Sequence, residues 1–414
     1  TGAPPAPSTI QGASTRAREK EAEDLAATPP EWRGRFLYCL RVFLGARVGL
    51  ALLALVATAL LPANAAVHVP GWDAPNPGPG WENLFTAWER WDALWFLRIA
   101  TEGYSDTDLS AAFFPFYPLL IRGISPLLGG HPLAAALLIS NLAYLGALFA
   151  MYELTRTEFD DDRARRSVLY MAVFPTAFFF FAPYTESLFL LLTVGSLLAA
   201  RRREWALAGT LGALAAATRS IGIVLILPLA LEAWDQARSR DEGRIRSLVR
   251  TLPWAAFPVT GLLTYLFYWY RSNGDWLTPV RDQSGWLREF HFVWDSIVKG
   301  TEEALKFIGA YSGGFHQLDL IVVAVAIAAA VWVVRNVRAP YVAYTVLSLL
   351  IPLSFIFGGR PFMSVPRFVV VIFPLFWAFA AFAERYRAHD LVVAVSAAGL
   401  GVMTVLYVNW YFVF

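Results

Sequence analysis

The chain has 414 residues, 57% of them hydrophobic and only 16% charged, with a net charge of +2. A soluble domain carries about 25% charged residues, so this chain cannot dress a water-facing surface, and a polytopic membrane protein is expected. Its arginines are scattered over short loops and lysine occurs only at 20, 299 and 306, a pattern that argues against nucleic-acid binding.

Taken in chain order, residues 1–35 are rich in Ala, Pro, Ser and Thr and then in charge, and read as a disordered cytoplasmic tail. No removable signal peptide is expected, because the first apolar run is long enough to stay in a bilayer. The lone cysteine, Cys39, allows no intrachain disulfide and reads as a small buried hydrophobe. A spanning helix needs roughly 20 apolar residues. Spans are expected near 36–61, 132–154, 167–182, 188–200, 205–218, 221–231, 252–270, 318–334, 341–357, 368–383 and 391–411, about eleven in all. The pair meeting at Arg219-Ser220 is short, and reads either as a broken hairpin or as one long tilted helix.

The apolar stretch 111–128 carries Pro115, Pro118 and Pro126, which suit a broken, re-entrant or interfacial segment better than a clean span. Read so, the basic loops 155–166, 201–204, 233–250, 335–338 and 384–389 all share one side with the N-terminal tail, as the positive-inside rule expects. The long segments 62–131 and 271–317 are then left on the other face. Two large loops on one face suggest a site at the outer membrane surface.

The first of these holds WERWDALWFLRIATEGY (88–104). Its spacing predicts a helix of about four turns stopping at Gly103, with Trp88, Trp91, Asp92, Trp95 and Ile99 on one face. An ionised carboxylate on an apolar face is costly unless it has a partner or a task. Asp92 therefore either pairs locally with Arg90 or Arg98 or does chemistry. Glu186 sits where a span emerges outward, and Thr185-Glu-Ser also suits a plain helix start. Arg219 and Arg367 lie at membrane depth, where charge is a functional hypothesis by default. They suit a lipid phosphate, which guanidinium binds in a bidentate fork, or else a structural ion pair with Glu186 or Asp92. His291, among aromatics, is a candidate sugar or phosphate contact. Asp106-Thr-Asp108 has the spacing of a carboxylate pair for a divalent cation, although an ordinary turn explains it equally. No motif demands a cofactor, and no zinc signature, Walker loop or dinucleotide fingerprint occurs.

RWDALWFLRIATEGY (90–104), AFFPFYP (112–118), YTESLF (184–189), ATRSIG (217–222) and SVPRF (364–368) together resemble the PIG-V family of mannosyltransferases and its bacterial homologues, from about residue 36 onward. The resemblance implies an all-α transmembrane bundle of GT-C type. It implies an inverting transfer of a sugar, mannose by family expectation, from a polyprenyl- or dolichyl-phosphate carrier to a glycolipid or cell-envelope glycan on the extracytoplasmic side. Carried over by position, Asp92 is the catalytic general base. Arg90, Trp91, Trp95, Glu186, Arg219, His291 and Arg367 are the expected substrate contacts, with an arginine offsetting the leaving phosphate. The GPI-anchor acceptor of eukaryotic members is not carried over, because the compact, Arg-rich chain looks bacterial. The rivals are a transporter or lipid flippase, which would be expected to show internal repeats, and an outer-face glycan polymerase or ligase.

Overall fold

The computed structural model describes residues 31–64, 67, 69, 72, 80–239, 243–310 and 315–413. Residues 1–30 of the expected tail lie outside the described residues; residues 31–35 already belong to the first helix. The described chain is all-α apart from one two-stranded ribbon.

In chain order the described α-helices of five residues or more are α1 (Glu31–Leu60), α2 (Asp92–Glu102), α3 (Phe116–Ile124), α4 (Pro132–Glu158), α5 (Asp161–Val173), α6 (Glu186–Arg201), α7 (Trp205–Thr218), α8 (Ile226–Arg238) and α9 (Arg244–Ala256). They continue with α10 (Pro258–Asn273), α11 (Thr278–Gly285), α12 (Val293–Lys306), α13 (His316–Asn336), α14 (Ala339–Leu353), α15 (Val365–Val369), α16 (Pro374–Tyr386) and α17 (His389–Val408). Strands β1 (Arg288–Phe290) and β2 (Phe355–Phe357) pair antiparallel.

Among the described residues, five helical segments are long and apolar enough to cross a membrane: α1, α4, Ser220–Arg238, α13 and α17. On α1, Leu44, Val48, Leu52 and Val56 are exposed while Cys39, Phe43, Leu50, Ala54 and Ala57 are buried. One apolar stripe packs inward and the other is left for lipid, the arrangement a bilayer permits and water does not. The chain is an integral membrane protein. The other expected spans are shorter or broken. The stretch expected as 167–182 ends its helix at Val173 and passes through a 3₁₀ turn at Ala177–Phe180, and α10 restarts at Pro258, at the break in the stretch expected as 252–270.

The basic loops converge on one end of the bundle. Arg35 bonds Glu153 at 2.6 Å, Arg163 bonds Glu384 at 2.9 Å and Arg201 bonds Glu158 at 2.7 Å. Arg338 reaches Glu232 at 3.0 Å and Asp235 at 3.3 Å. Five loops and the start of α1 are thus stitched into a single charged layer.

Helix α7 leaves this layer and α8 returns to it, since Gln236 of α8 donates to the Ala200 carbonyl. The region around Arg219 is therefore the broken hairpin, not one tilted helix. Arg219 is extended (φ −150°, ψ 140°) and the 3₁₀ turn Ser220–Leu225 folds back against α7. A Cβ on Gly222 would lie 2.4 Å from the Ala216 nitrogen, so only glycine permits this approach. With 14 residues, α7 rises about 21 Å, less than the ~30 Å hydrocarbon core. The hairpin tip carries Arg219.

The two long segments meet at the opposite end. The Asp282 carboxylate accepts from the Ala111 N–H, Gln283 donates to the Ala112 carbonyl and Trp286 donates to the Leu109 carbonyl. The stretch 111–128 is broken as expected, into a 3₁₀ turn, α3 and a second 3₁₀ turn at Ser125–Leu128.

Candidate active site

Asp92 is the first residue of α2, not the middle of a longer helix. Trp91, just before it, has φ 54°, a conformation costly for a bulky residue. It is held by its surroundings: Trp410 and Phe412 pack edge-on against the indole at 5.7 and 5.2 Å. Tyr407 donates to the Trp88 carbonyl and Tyr184 to the Arg90 carbonyl. The preceding turn is thus gripped from two directions, and Asp92 stands at the helix N-terminus, where the macrodipole favours a carboxylate.

Asp92 pairs neither with Arg90 nor with Arg98. Its Oδ2 accepts from Nη1 of Arg367, 275 residues away. Arg367 also donates through Nε to Glu186 Oε1, so both usable edges of its fork are engaged by carboxylates. Arg219 donates through Nη1 to the same Glu186 oxygen at 2.5 Å and to the Thr185 hydroxyl at 3.0 Å. Glu186 opens α6 and is wholly buried, and its Oε2 finds no partner among the described residues. The ion-pair reading of both arginines is therefore what the geometry holds, and it brings Asp92, Glu186, Arg219 and Arg367 into one constellation.

That constellation borders a cavity of about 410 Å³ at the end of the bundle away from the charged layer. Both long segments wall it: Trp91, Asp92, Trp95 and Phe113 from the first, Gln283, Trp286 and Arg288 from the second. Trp95 stacks on Phe113 at 5.4 Å, and Trp286 meets both rings edge-on. Asp92 keeps 32% of its side chain exposed while Arg367 keeps 6%. Its Oδ1 accepts no hydrogen bond from a described residue, which leaves one carboxylate oxygen available to a ligand.

The remaining expected contacts lie elsewhere. Arg90 is fully buried; it donates to the carbonyls of Thr86, Glu89 and Val408 and lies over the Trp410 ring at 4.6 Å. It ties the turn before Asp92 to the end of α17 and does not line the cavity. His291 also stands outside the lining, 3.7 Å from Glu289. Asp108 pairs with Arg98 at 3.3 Å and accepts from the Ser110 N–H, and Asp106 accepts from Asn273. Among the described residues no group of three metal-ligating side chains occurs. Arg288 is a charged cavity residue that sequence reading passed over. Its one signal is a position on the even-numbered face of Arg288-Glu-Phe290, too short a strand to detect by alternation.

Fold and site define a helical integral membrane protein with a charged, aromatic-walled cavity at one end. Residues 45–237 match the family described as Mannosyltransferase (PIG-V), and the resemblance to that family stands over this stretch, which contains Asp92, Glu186 and Arg219. The chain is 35% identical over 185 residues to the GPI alpha-1,6-mannosyltransferase 2 of Mus musculus, covering 42% of this chain and 36% of that protein. It is 32% identical over 145 residues to the GPI mannosyltransferase 2 of Cryptococcus neoformans, covering 32% and 34%. The matched stretches span about a third of these relatives' length. A crystal structure of ArnT from Cupriavidus metallidurans bound to undecaprenyl phosphate overlaps 90% of this chain and 76% of its own, with 14% identity and a TM-score of 0.47.

Proposed function

We propose that the chain is an inverting glycosyltransferase of the GT-C class. It moves mannose from a polyprenyl- or dolichyl-phosphate carrier to a hydroxyl of a glycolipid or envelope glycan, on the extracytoplasmic face of a bacterial plasma membrane. One observation carries the reading: Asp92 presents an unengaged carboxylate oxygen to an aromatic-walled cavity that guanidinium groups also line.

In the proposed reaction the acceptor oxygen attacks the anomeric carbon from the face opposite the phosphate. The bond from that carbon to the phosphate oxygen breaks, and the lipid phosphate leaves with the electron pair. Asp92 takes the acceptor's proton through Oδ1, while Arg367 holds Oδ2 and fixes the carboxylate's direction. Arg219 is directed to the leaving phosphate, whose charge grows as the bond breaks. Glu186 touches no reacting atom and acts by holding the two arginines.

A lipid-carried donor has further support. A second, largely apolar cavity of about 510 Å³ lies between α2–α3 and α7–α10, lined by Tyr104, Phe116, Leu119, Leu214, Ala217 and Tyr268. Phe114 and Thr218 line the charged cavity, while the adjoining Pro115 and Ala217 line the apolar one. A tail in the second would place its phosphate in the first. The charged layer at the opposite end supports the sidedness through the positive-inside rule.

The test is product analysis. Purified protein given polyprenyl-phosphate mannose and membrane acceptors is expected to yield a mannosylated acceptor and free lipid phosphate in equal amounts. A lipid that crosses the bilayer with its sugar intact would replace this reading with a flippase.

A further inference from the structure

Three guanidiniums stand at the charged cavity, Arg219, Arg288 and Arg367, against two carboxylates, Asp92 and Glu186. Arg367 is taken by both carboxylates and Arg219 by one. Arg288 has none: among the described residues its only hydrogen bond runs from Nη1 to Gln283 Oε1 at 3.0 Å, and its buried Nε finds no acceptor. The strand explains how this comes about. Successive side chains of β1 point to opposite faces, so Glu289 leaves Arg288 and faces His291 instead. Phe357, directly across the ribbon, and Phe355, diagonal to it, put their rings under the guanidinium at 5.2 and 4.2 Å. The guanidinium is thereby braced by aromatic faces and has no carboxylate partner among the described residues.

Burial, with the Arg219 charge nearby, pushes the Arg288 guanidinium down to about 10. It remains charged at neutral pH, at an electrostatic cost that an incoming anion would remove.

We infer that Arg288 is the phosphate-binding arm of the cavity, closing on the lipid carrier's phosphate opposite Arg219. This deepens the glycosyltransferase reading and rests on it. The charge balance supports it: a glycosyl phosphodiester brings one negative charge to a cluster with one positive charge in excess. A guanidinium whose donors are already taken by two carboxylates, as in Arg367, is poorly placed to chelate that phosphate; Arg288 has no carboxylate partner, and its buried Nε is unpaired among the described residues.

The experiment is binding of geranylgeranyl phosphate to the purified protein in lipid nanodiscs, with geranylgeraniol and inorganic phosphate as comparison ligands. Arg288→Met keeps a stem to pack on Phe355 and Phe357, and is expected to weaken the lipid phosphate roughly tenfold to a hundredfold while leaving geranylgeraniol unchanged. Arg288→Lys, with charge but no fork, should recover only part of the loss. Inorganic phosphate should bind far more weakly than the lipid phosphate. Lipid phosphate binding to Arg288→Met within twofold of the unaltered chain would overturn the inference, as would an equal loss for geranylgeraniol. The two readings fail separately: binding through Arg288 without mannosyl transfer sinks the enzyme, and transfer with Arg288 silent sinks only this site.

Discussion

Glu186 has no exposed surface, yet two guanidiniums donate to it. Removing one member of a buried ion pair leaves the others uncompensated, at about 3–5 kcal/mol. Glu186→Gln should therefore lower thermal stability measurably and loosen both arginines; an unchanged melting temperature would show that Glu186 does not hold them. At this scale the sequence was legible in part. In the sequence Asp92 stands out as a carboxylate on an apolar face, Glu186 by its place where a span emerges, and Arg219 and Arg367 as charge at membrane depth; all four meet in one constellation. What could not be read was their pairing, since Arg367 lies 275 residues from Asp92 and local spacing offers only Arg90 and Arg98. Arg90 shares the motif but does not line the cavity: its Nε and Nη1 donate to backbone carbonyls.

Among the elements, the broken ones position the site. The 3₁₀ return at Gly222 stops α7 short and leaves Arg219 at the tip. The same hairpin separates the two cavities through Ala217 and Thr218. Ala217→Trp should fill the apolar cavity and raise KM for a long-chain polyprenyl-phosphate mannose by tenfold or more, at about 1.4 kcal/mol per tenfold, while barely altering that for a short-chain analogue. Equal effects on both donors would remove the tail from this groove. Helix α2 shows why element boundaries resist sequence reading. The apolar spacing continues back to Trp88, and the helix is cut at Asp92 by a positive φ at Trp91 that nothing local encodes. Packing by Trp410 and Phe412, from the far end of the chain, imposes it.

For the whole molecule, the basic loops 155–166, 201–204, 233–250, 335–338 and 384–389 gather at one end and the cavity lies at the other. That division was legible in the sequence because loop charge follows sidedness, whereas the breaks within apolar stretches were not, since hydropathy does not distinguish a continuous span from a broken one. Sidedness can be measured directly. In a Cys39→Ala background, which removes the sole, buried cysteine, Glu289→Cys should react with a membrane-impermeant maleimide on intact cells. Arg203→Cys should react only after permeabilisation. The reverse pattern would put the cavity in the cytoplasm.

The most direct test of the proposed chemistry is turnover of Asp92→Asn with polyprenyl-phosphate mannose. The substitution preserves shape and removes the proton acceptor, so transfer should fall by roughly 10²–10⁴-fold with donor affinity retained. Turnover at the rate of the unaltered protein would remove Asp92 as the base and the proposed reaction with it.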